Sequence, residues 1–226
     1  MRVLELFCGV NHSFGRVAES LCLTVISLDV NAKAGPILLM DILEFEPTAW
    51  PSDYFQFVWA SPPCESYSPA RTVAKIARAD AMQHADRLVA KTRQIIAHFS
   101  TADWCIENPA TSLLWKRDVA RGLIENSVVT SYCCFGADYR KNTRIASSFP
   151  LSLPKCPGIG KCAAMVGSKH RAWGQKGGGG CNGKCHTVDE LHSIPRGLIL
   201  DIINQIPGVR VDFRSVQKCA ETENTS

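Results

Sequence analysis

Cys64 closes the run Ser61-Pro62-Pro63-Cys64. Two prolines restrict the backbone there and present the thiol in one orientation. A thiol held rigidly at the end of a buried strand suits nucleophilic attack. The same run fits a buried structural cysteine on a proline turn equally well. Glu107 opens Glu107-Asn108-Pro109, behind the apolar Trp104 and Ile106. A carboxyl so placed is partly desolvated and suited to act as an acid. An N-cap or a salt bridge is the even alternative. Phe7-Cys8-Gly9 reads as a tight turn under a nucleotide-like ligand, and Asp29 follows about 20 residues later. That spacing matches an acid that binds ribose hydroxyls. Asp41 could add a polar contact.

Soft metal ligands gather further along. Cys156 and Cys162 have five residues between them, His170 follows after seven more, and Cys181 and Cys185 are separated by three. Thiolates and imidazole are the ligands of structural zinc. The expected set is Cys156, Cys162, Cys181 and Cys185, with His170 as substitute; the other reading is free surface cysteines in a reducing cytosol. Cys133 and Cys134 are expected in the core of a strand. His12, His84, His98 and His192 lack a persuasive partner and read as surface or capping residues.

These groups need elements to hold them. Arg2–Phe7, Leu23–Leu28, Phe55–Ala60 and Trp104–Ile106 are short apolar runs that end at the residues just named, and they read as buried strands. Val128–Cys133 and Arg144–Phe149 are two further candidate strands. Phe14–Leu21 and Ala79–Phe99 carry apolar residues at the helical period. Thr187 and Glu190 form a capping-box pair ahead of one closing helix that runs through Ile206. Strands alternating with helices predict a mostly parallel α/β sheet, with ligands at the carboxyl ends of its strands.

Composition limits what the chain can be. With 226 residues it can bury a core without disulfides, and 46% hydrophobic against 20% charged residues excludes a disordered chain. No apolar run reaches the roughly 20 residues needed to span a bilayer, and the start lacks a signal-peptide pattern. Secretion and membrane insertion are not expected. Eleven cysteines in such a chain point to metal or catalysis rather than a disulfide frame. Nine of the 25 Lys and Arg lie between Tyr139 and Val188, a stretch with no Asp or Glu, which leaves 16 against 21 acidic residues elsewhere. So concentrated a positive segment suggests a polyanion partner, against the plainer reading of a solvated loop.

Taken together, LELFCG, SLDV, MDI, WASPPCESYS, IENP, YCCFGADYRKNTRI and the helix near LHSIP, in this order, resemble the C5-cytosine DNA methyltransferases, in the compact form of phages and their hosts. The resemblance covers nearly the whole chain. It implies a Rossmann-like S-adenosylmethionine-dependent fold, a mostly parallel sheet flanked by helices with a small irregular Cys-rich insert. The expected division is a catalytic core over 1–149, a reduced recognition insert over 150–186, a closing helix over 187–214 and a polar tail over 215–226. Cys64 would be the nucleophile toward cytosine C6. Glu107 would bind N3 and the amino group, and Arg144 would support the base. Phe7, Gly9, Asp29, Asp41, Ile42 and Pro62 would hold the cofactor. Arg140, Lys141, Arg144, Lys169 and Arg171 would contact nucleic acid. Asn142 stands where the first arginine of the family's RxR pair is usual, and Asn11 where glycine is usual. The implied setting is a monomer acting on double-stranded DNA with a flipped cytosine, in a bacterial or phage-infected cytoplasm. Two further readings carry different functions: a transfer-RNA cytosine-5 methyltransferase, and a non-catalytic zinc and DNA-binding relative.

Overall fold

The computed structural model describes residues 1–69, 75–174 and 186–209. Its strands are β1 (Arg2–Leu6), β2 (Thr24–Asp29), β3 (Leu38–Leu39), β4 (Phe57–Ala60), β5 (Asp103–Pro109), β6 (Ser127–Ser131), β7 (Tyr139–Arg140), β8 (Asn142–Ser147), β9 (Met165–Val166), β10 (Lys169–His170) and β11 (Ala172–Trp173). Its α-helices are α1 (Ser13–Glu19), α2 (Lys75–His98), α3 (Val188–His192) and α4 (Arg196–Ile203).

Seven strands form one sheet in the order β3-β2-β1-β4-β5-β8-β6. The first five are mutually parallel, while β8 runs antiparallel to both β5 and β6. The sheet is therefore the expected mostly parallel one. Its central strands read as unbroken apolar runs because both faces are covered. On one face Val3, Phe57, Trp59, Cys105 and Ile145 pack against α1 and α4. On the other, Leu4, Leu6, Val58, Ile106 and Ala146 pack against α2 through Ala85, Val89 and Ile95. Cutting Phe57 to Ala would cost about 3–5 kcal/mol by the cavity it leaves.

Three expected elements differ. The strand expected over Val128–Cys133 stops at Ser131, and Tyr132–Phe135 turns as a 3-10 helix closed by Gly136 at φ 91°. Cys133 therefore leaves the sheet. The single closing helix is two. Thr187 and Glu190 do form the capping box of α3, but Pro195 cannot continue it and instead opens α4. The strand expected over Arg144–Phe149 begins two residues earlier, at Asn142, and ends at Ser147. Among the described residues, no helix is long and apolar enough to cross a membrane.

Candidate active site

The loop after β1 is bent by its backbone. Phe7, Gly9 and His12 all adopt left-handed conformations, with φ of 60°, 60° and 43°. For the two non-glycine residues this costs about 1–2 kcal/mol each. The loop is held in that shape by β2. Phe7 N and Cys8 N both donate to the Leu28 carbonyl, at 2.9 and 3.3 Å. Gly9 N donates to Asp29 Oδ2 at 2.8 Å, and Asn31 N donates to Asp29 Oδ1 at 2.8 Å. One carboxylate thus fixes two loops at the sheet edge.

Beneath this loop lies Glu5, 1% exposed. Its Oε1 accepts the Gly15 N–H at 3.0 Å, taking up a donor of the first turn of α1 that no side-chain cap serves. A Cβ on Gly15 would collide with this carboxylate, so a larger residue there would have to displace the Glu5 side chain. Glu5 Oε2 is buried without a hydrogen bond and lies 3.8 Å from His12 Nδ1. The neighbouring Glu5 carboxylate pushes the His12 pKa up, against the opposing effect of burial. His12 Nε2 meets the Ala34 carbonyl. His12 stands at the N-cap position of α1, without a side-chain cap bond, and is a structural partner of Glu5 where no partner was expected.

β4 delivers the Ser61–Cys64 run to the same edge. Trp59 Nε1 donates to Ser61 Oγ at 3.0 Å, and Asn108 Nδ2 donates to the Pro62 carbonyl at 2.8 Å. The two chemistry-bearing motifs are therefore tied together through a buried amide. Cys64 is half-buried and precedes a 3-10 turn over Glu65–Tyr67. Burial, then the negative charges of Glu65 and Glu107, push its thiol up to about 11, while Lys141 opposes the shift.

Glu107, 6% exposed, sits against the hydroxyl of Thr143. That hydroxyl also lies 3.1 Å from the Asn108 carbonyl. Tyr132 is fully buried nearby, its phenol held protonated by burial and by the charge of Glu107. Lys141 Nζ donates to the Leu191 carbonyl and sits 4.8 Å from the centre of the Tyr132 ring.

Arg144 is not with them. In the β5–β8 register Arg144 stands opposite Asn108, while Thr143 stands opposite Pro109 and Ile145 opposite Glu107. Side chains alternate across a strand, so Thr143 and Ile145 share the Glu107 face and Arg144 takes the other. Its Nη1 donates to Ser127 Oγ at 2.7 Å and its guanidinium lies 5.6 Å from the Trp115 ring centre. Arg144 thus faces away from Glu107, and Lys141 and Thr143 occupy the positions toward Glu107 and Cys64. Counting alternate residues back from the apolar Ile145 is the sequence signal that finds them.

Phe7, Gly9, Asp29, Asp41, Ile42, Pro62, Cys64, Glu107 and Lys141 line one cavity of about 290 Å³. Asp41 Oδ1 also accepts the Leu43 N–H at 2.9 Å and caps the short turn Ile42–Glu44. A wider cleft of about 810 Å³ adjoins it, sharing Cys64, Pro109, Lys141 and His192. Arg140, Lys141, Lys169 and His170 line that cleft. Arg171 and Arg144, both expected to contact nucleic acid, do not line it.

Around His170, which lines the cleft, Cys133, Cys156 and Cys162 converge, with the four ligand atoms all within 4.8 Å of one another. Cys156, Cys162 and His170 belong to the set expected from sequence. Cys133 does not, because the sequence pattern puts it in the core of a strand. Cys181 and Cys185 lie outside the described residues.

No family model matches the chain. It is similar to a protein of Frog virus 3 (isolate Goorha) described as a "Probable DNA (cytosine-5)-methyltransferase", 26% identical over an alignment of 226 positions that covers 90% of this chain and 99% of that one. Among solved structures it is similar to the Entamoeba histolytica methyltransferase EhMeth, at a TM-score of 0.50 and 17% identity over 75% of this chain. The chain spans 58% of the length of that structure. The resemblance to cytosine-5 methyltransferases carried by the motifs is thus found again in sequence, and the mostly parallel α/β fold is shared with that methyltransferase structure.

Proposed function

We propose that this chain transfers a methyl group from S-adenosylmethionine to C5 of cytosine in double-stranded DNA. The observation that carries the reading is the convergence of Cys64 and Glu107, from the ends of adjacent strands β4 and β5, on the cavity that Phe7, Asp29 and Asp41 also line. The Frog virus 3 relative, named for DNA, supports the choice of substrate. The basic cleft that opens beside Cys64 supports a polyanion.

The residues present fit the cofactor. The left-handed turn at Phe7–Gly9 leaves an open backbone cradle in which a Cβ on Gly9 would meet nothing within 4 Å. Asp29 and Asp41 offer carboxylates to ribose and adenine, Phe7 offers a ring to adenine, and Ile42 and Pro62 close the sides. Bound there, S-adenosylmethionine supplies an electrophilic methyl on a sulfonium.

Cytosine C5 is a poor nucleophile until C6 is occupied. Cys64 supplies the thiolate that adds to C6 and turns C5 into an enamine carbon able to take the methyl. Loss of the C5 proton to solvent and expulsion of the Cys64 thiolate then restore the ring, the methyl donor leaving as its neutral thioether. The thiol is pushed up, so the cation of Lys141 beside Cys64 matters: it favours the thiolate. Glu107, held in place by Thr143, donates a proton from its carboxyl group to N3 and so offsets the negative charge that thiolate addition puts on the ring. The Asn108–Pro62 bond keeps nucleophile and carboxylate in register. The base must leave the duplex to reach this site. Residues 150–186 act as a reduced recognition region, and the chain works as a monomer.

The test is labelled methyl transfer from S-adenosylmethionine to duplex DNA and to transfer RNA side by side, together with duplex DNA carrying 5-fluorocytosine. Methyl transfer to DNA, and a covalent adduct formed by the wild type but not by Cys64→Ser, are expected. Transfer to RNA alone overturns the DNA reading. An adduct of equal yield with Cys64→Ser overturns the nucleophile.

A further inference from the structure

We propose that Cys133, Cys156, Cys162 and His170 form a tetrahedral Cys3His zinc site that clamps the insert to the core. Such a site stands whether or not the chain transfers methyl groups.

The geometry is that of a coordination shell. Zinc binds sulfur at about 2.3 Å and imidazole nitrogen at about 2.0–2.1 Å, so neighbouring sulfur and nitrogen corners of a tetrahedron stand about 3.6 Å apart. His170 Nε2 lies 3.5 Å from Cys156 Sγ and 3.6 Å from Cys162 Sγ. Cys133 completes the group within the same small radius. All three thiols are free of disulfides. The backbone around them is shaped for it. Gly158, two residues after Cys156, takes φ 80° and its N–H points at the Cys156 sulfur. Gly160 takes φ 73°, and Cys162 N donates back to the Gly158 carbonyl at 2.9 Å. β9 and β10 then form a tight hairpin that returns His170 to the cysteines, with Gly167 at φ 59° in its turn.

The surroundings show why a metal is needed. The local apolar cluster here is Cys133, Cys162 and Ala164, with Cys134, Cys156 and Met165 packed on its edge. So little apolar surface cannot fix loops of this length. A bound metal supplies that missing folding energy. Cys133 belongs to the turn that leaves β6, whereas the other ligands belong to the insert, so the ion joins two parts of the chain. It also fixes a wall of the basic cleft, because His170 and its neighbour Lys169 both line it.

The experiment uses the full chain purified without chelators. Elemental analysis should find one zinc per chain. Replacing zinc by cobalt(II) should give the visible bands of a tetrahedral ion together with thiolate charge-transfer absorption. Cys133→Ser and Cys156→Ser should each lose the zinc, and the double variant Cys181→Ser/Cys185→Ser should keep it. His170→Cys should also keep it, with stronger charge-transfer absorption from a fourth thiolate. This variant and the wild-type cobalt spectrum decide the matter even where a serine variant fails to fold. Metal-free protein that takes up neither zinc nor cobalt overturns the site, as does a disulfide between any two of the three cysteines. Loss of zinc from the Cys181/Cys185 variant, or full zinc in the Cys133 and Cys156 variants, overturns this ligand set.

Discussion

The two walls that flank Cys64 are held by different forces. The wall made by the loops after β1, β2 and β4 rests on a sheet buried on both faces. Its carboxylates and amides are tied to backbone: Asp29 to Gly9 and Asn31, Asn108 to Pro62, Glu5 to Gly15. The wall made by β7, β10 and the insert has only a small apolar cluster around its cysteines and carries the cations Arg140, Lys141 and Lys169. Register and burial place the first wall, and soft ligands converging on one point place the second. The first can therefore be pre-formed for a small cofactor, and the second can present cations without the cost of burying them.

The largest expected effect lies where the walls meet. Glu107→Gln keeps the shape but removes the carboxyl proton that N3 of the ring takes up, and should lower the methyl-transfer rate by about 10²–10³-fold. Single-turnover transfer measures it, and a rate within a factor of about three of wild type would remove Glu107 from the chemistry. Asp29→Ala tests the first wall alone. It deletes the ribose acceptor and also the anchor of Gly9 and Asn31, so S-adenosylmethionine should bind roughly ten- to a hundredfold more weakly by calorimetry. The metal content of the other wall should not change. A variant that loses metal as well would show the walls to be coupled.

Lys141→Met probes the second wall's reach into the site. The Cys64 thiol is pushed up to about 11, so in the free chain its alkylation should speed up steadily as pH rises from neutrality. Removing the opposing cation should slow that alkylation at a fixed neutral pH by roughly two- to fivefold. Peptide-resolved mass spectrometry follows Cys64 specifically, and an unchanged rate would detach Lys141 from the thiol. His12→Gln should have the smallest effect, and a pH-dependent one. Glu5 raises the His12 pKa, so the pair stabilises the fold below about pH 6.5 and that contribution fades as pH rises through the raised value. The Tm gap between wild type and His12→Gln should be wider near pH 6 than near pH 9. A gap independent of pH would mean that the pair carries no charge.

Much of the first wall is legible in the sequence because its signals are local. A buried parallel strand is an apolar run, and the residues after it fall at the sheet edge whatever the rest of the chain does. That is why Phe7, Asp29, Pro62, Cys64 and Glu107 all reach one cavity. Arg144 shows the limit. A motif read in linear order gives residue types, but a strand shifted by one residue moves every side chain to the opposite face. The β5–β8 register, set by pairing between distant segments, sends Arg144 to Trp115 and brings Lys141 and Thr143 to the site. Cys133 shows the same limit in another form. Its neighbours Val128, Val129 and Tyr132 favour a strand, and nothing local reveals that the chain turns at Tyr132.

The sequence by itself thus determined the alternating strands and helices, the capping box at Thr187, the motif residues that end the strands and the basic, Cys-rich character of the insert. Each follows from periodicity or composition within a few turns of chain. Only the tertiary structure decided which face of β8 meets Glu107, that Glu5 and His12 share a buried contact under the loop after β1, and that Cys133 joins Cys156, Cys162 and His170. Those choices depend on register and on the docking of segments far apart in sequence, which no local pattern encodes.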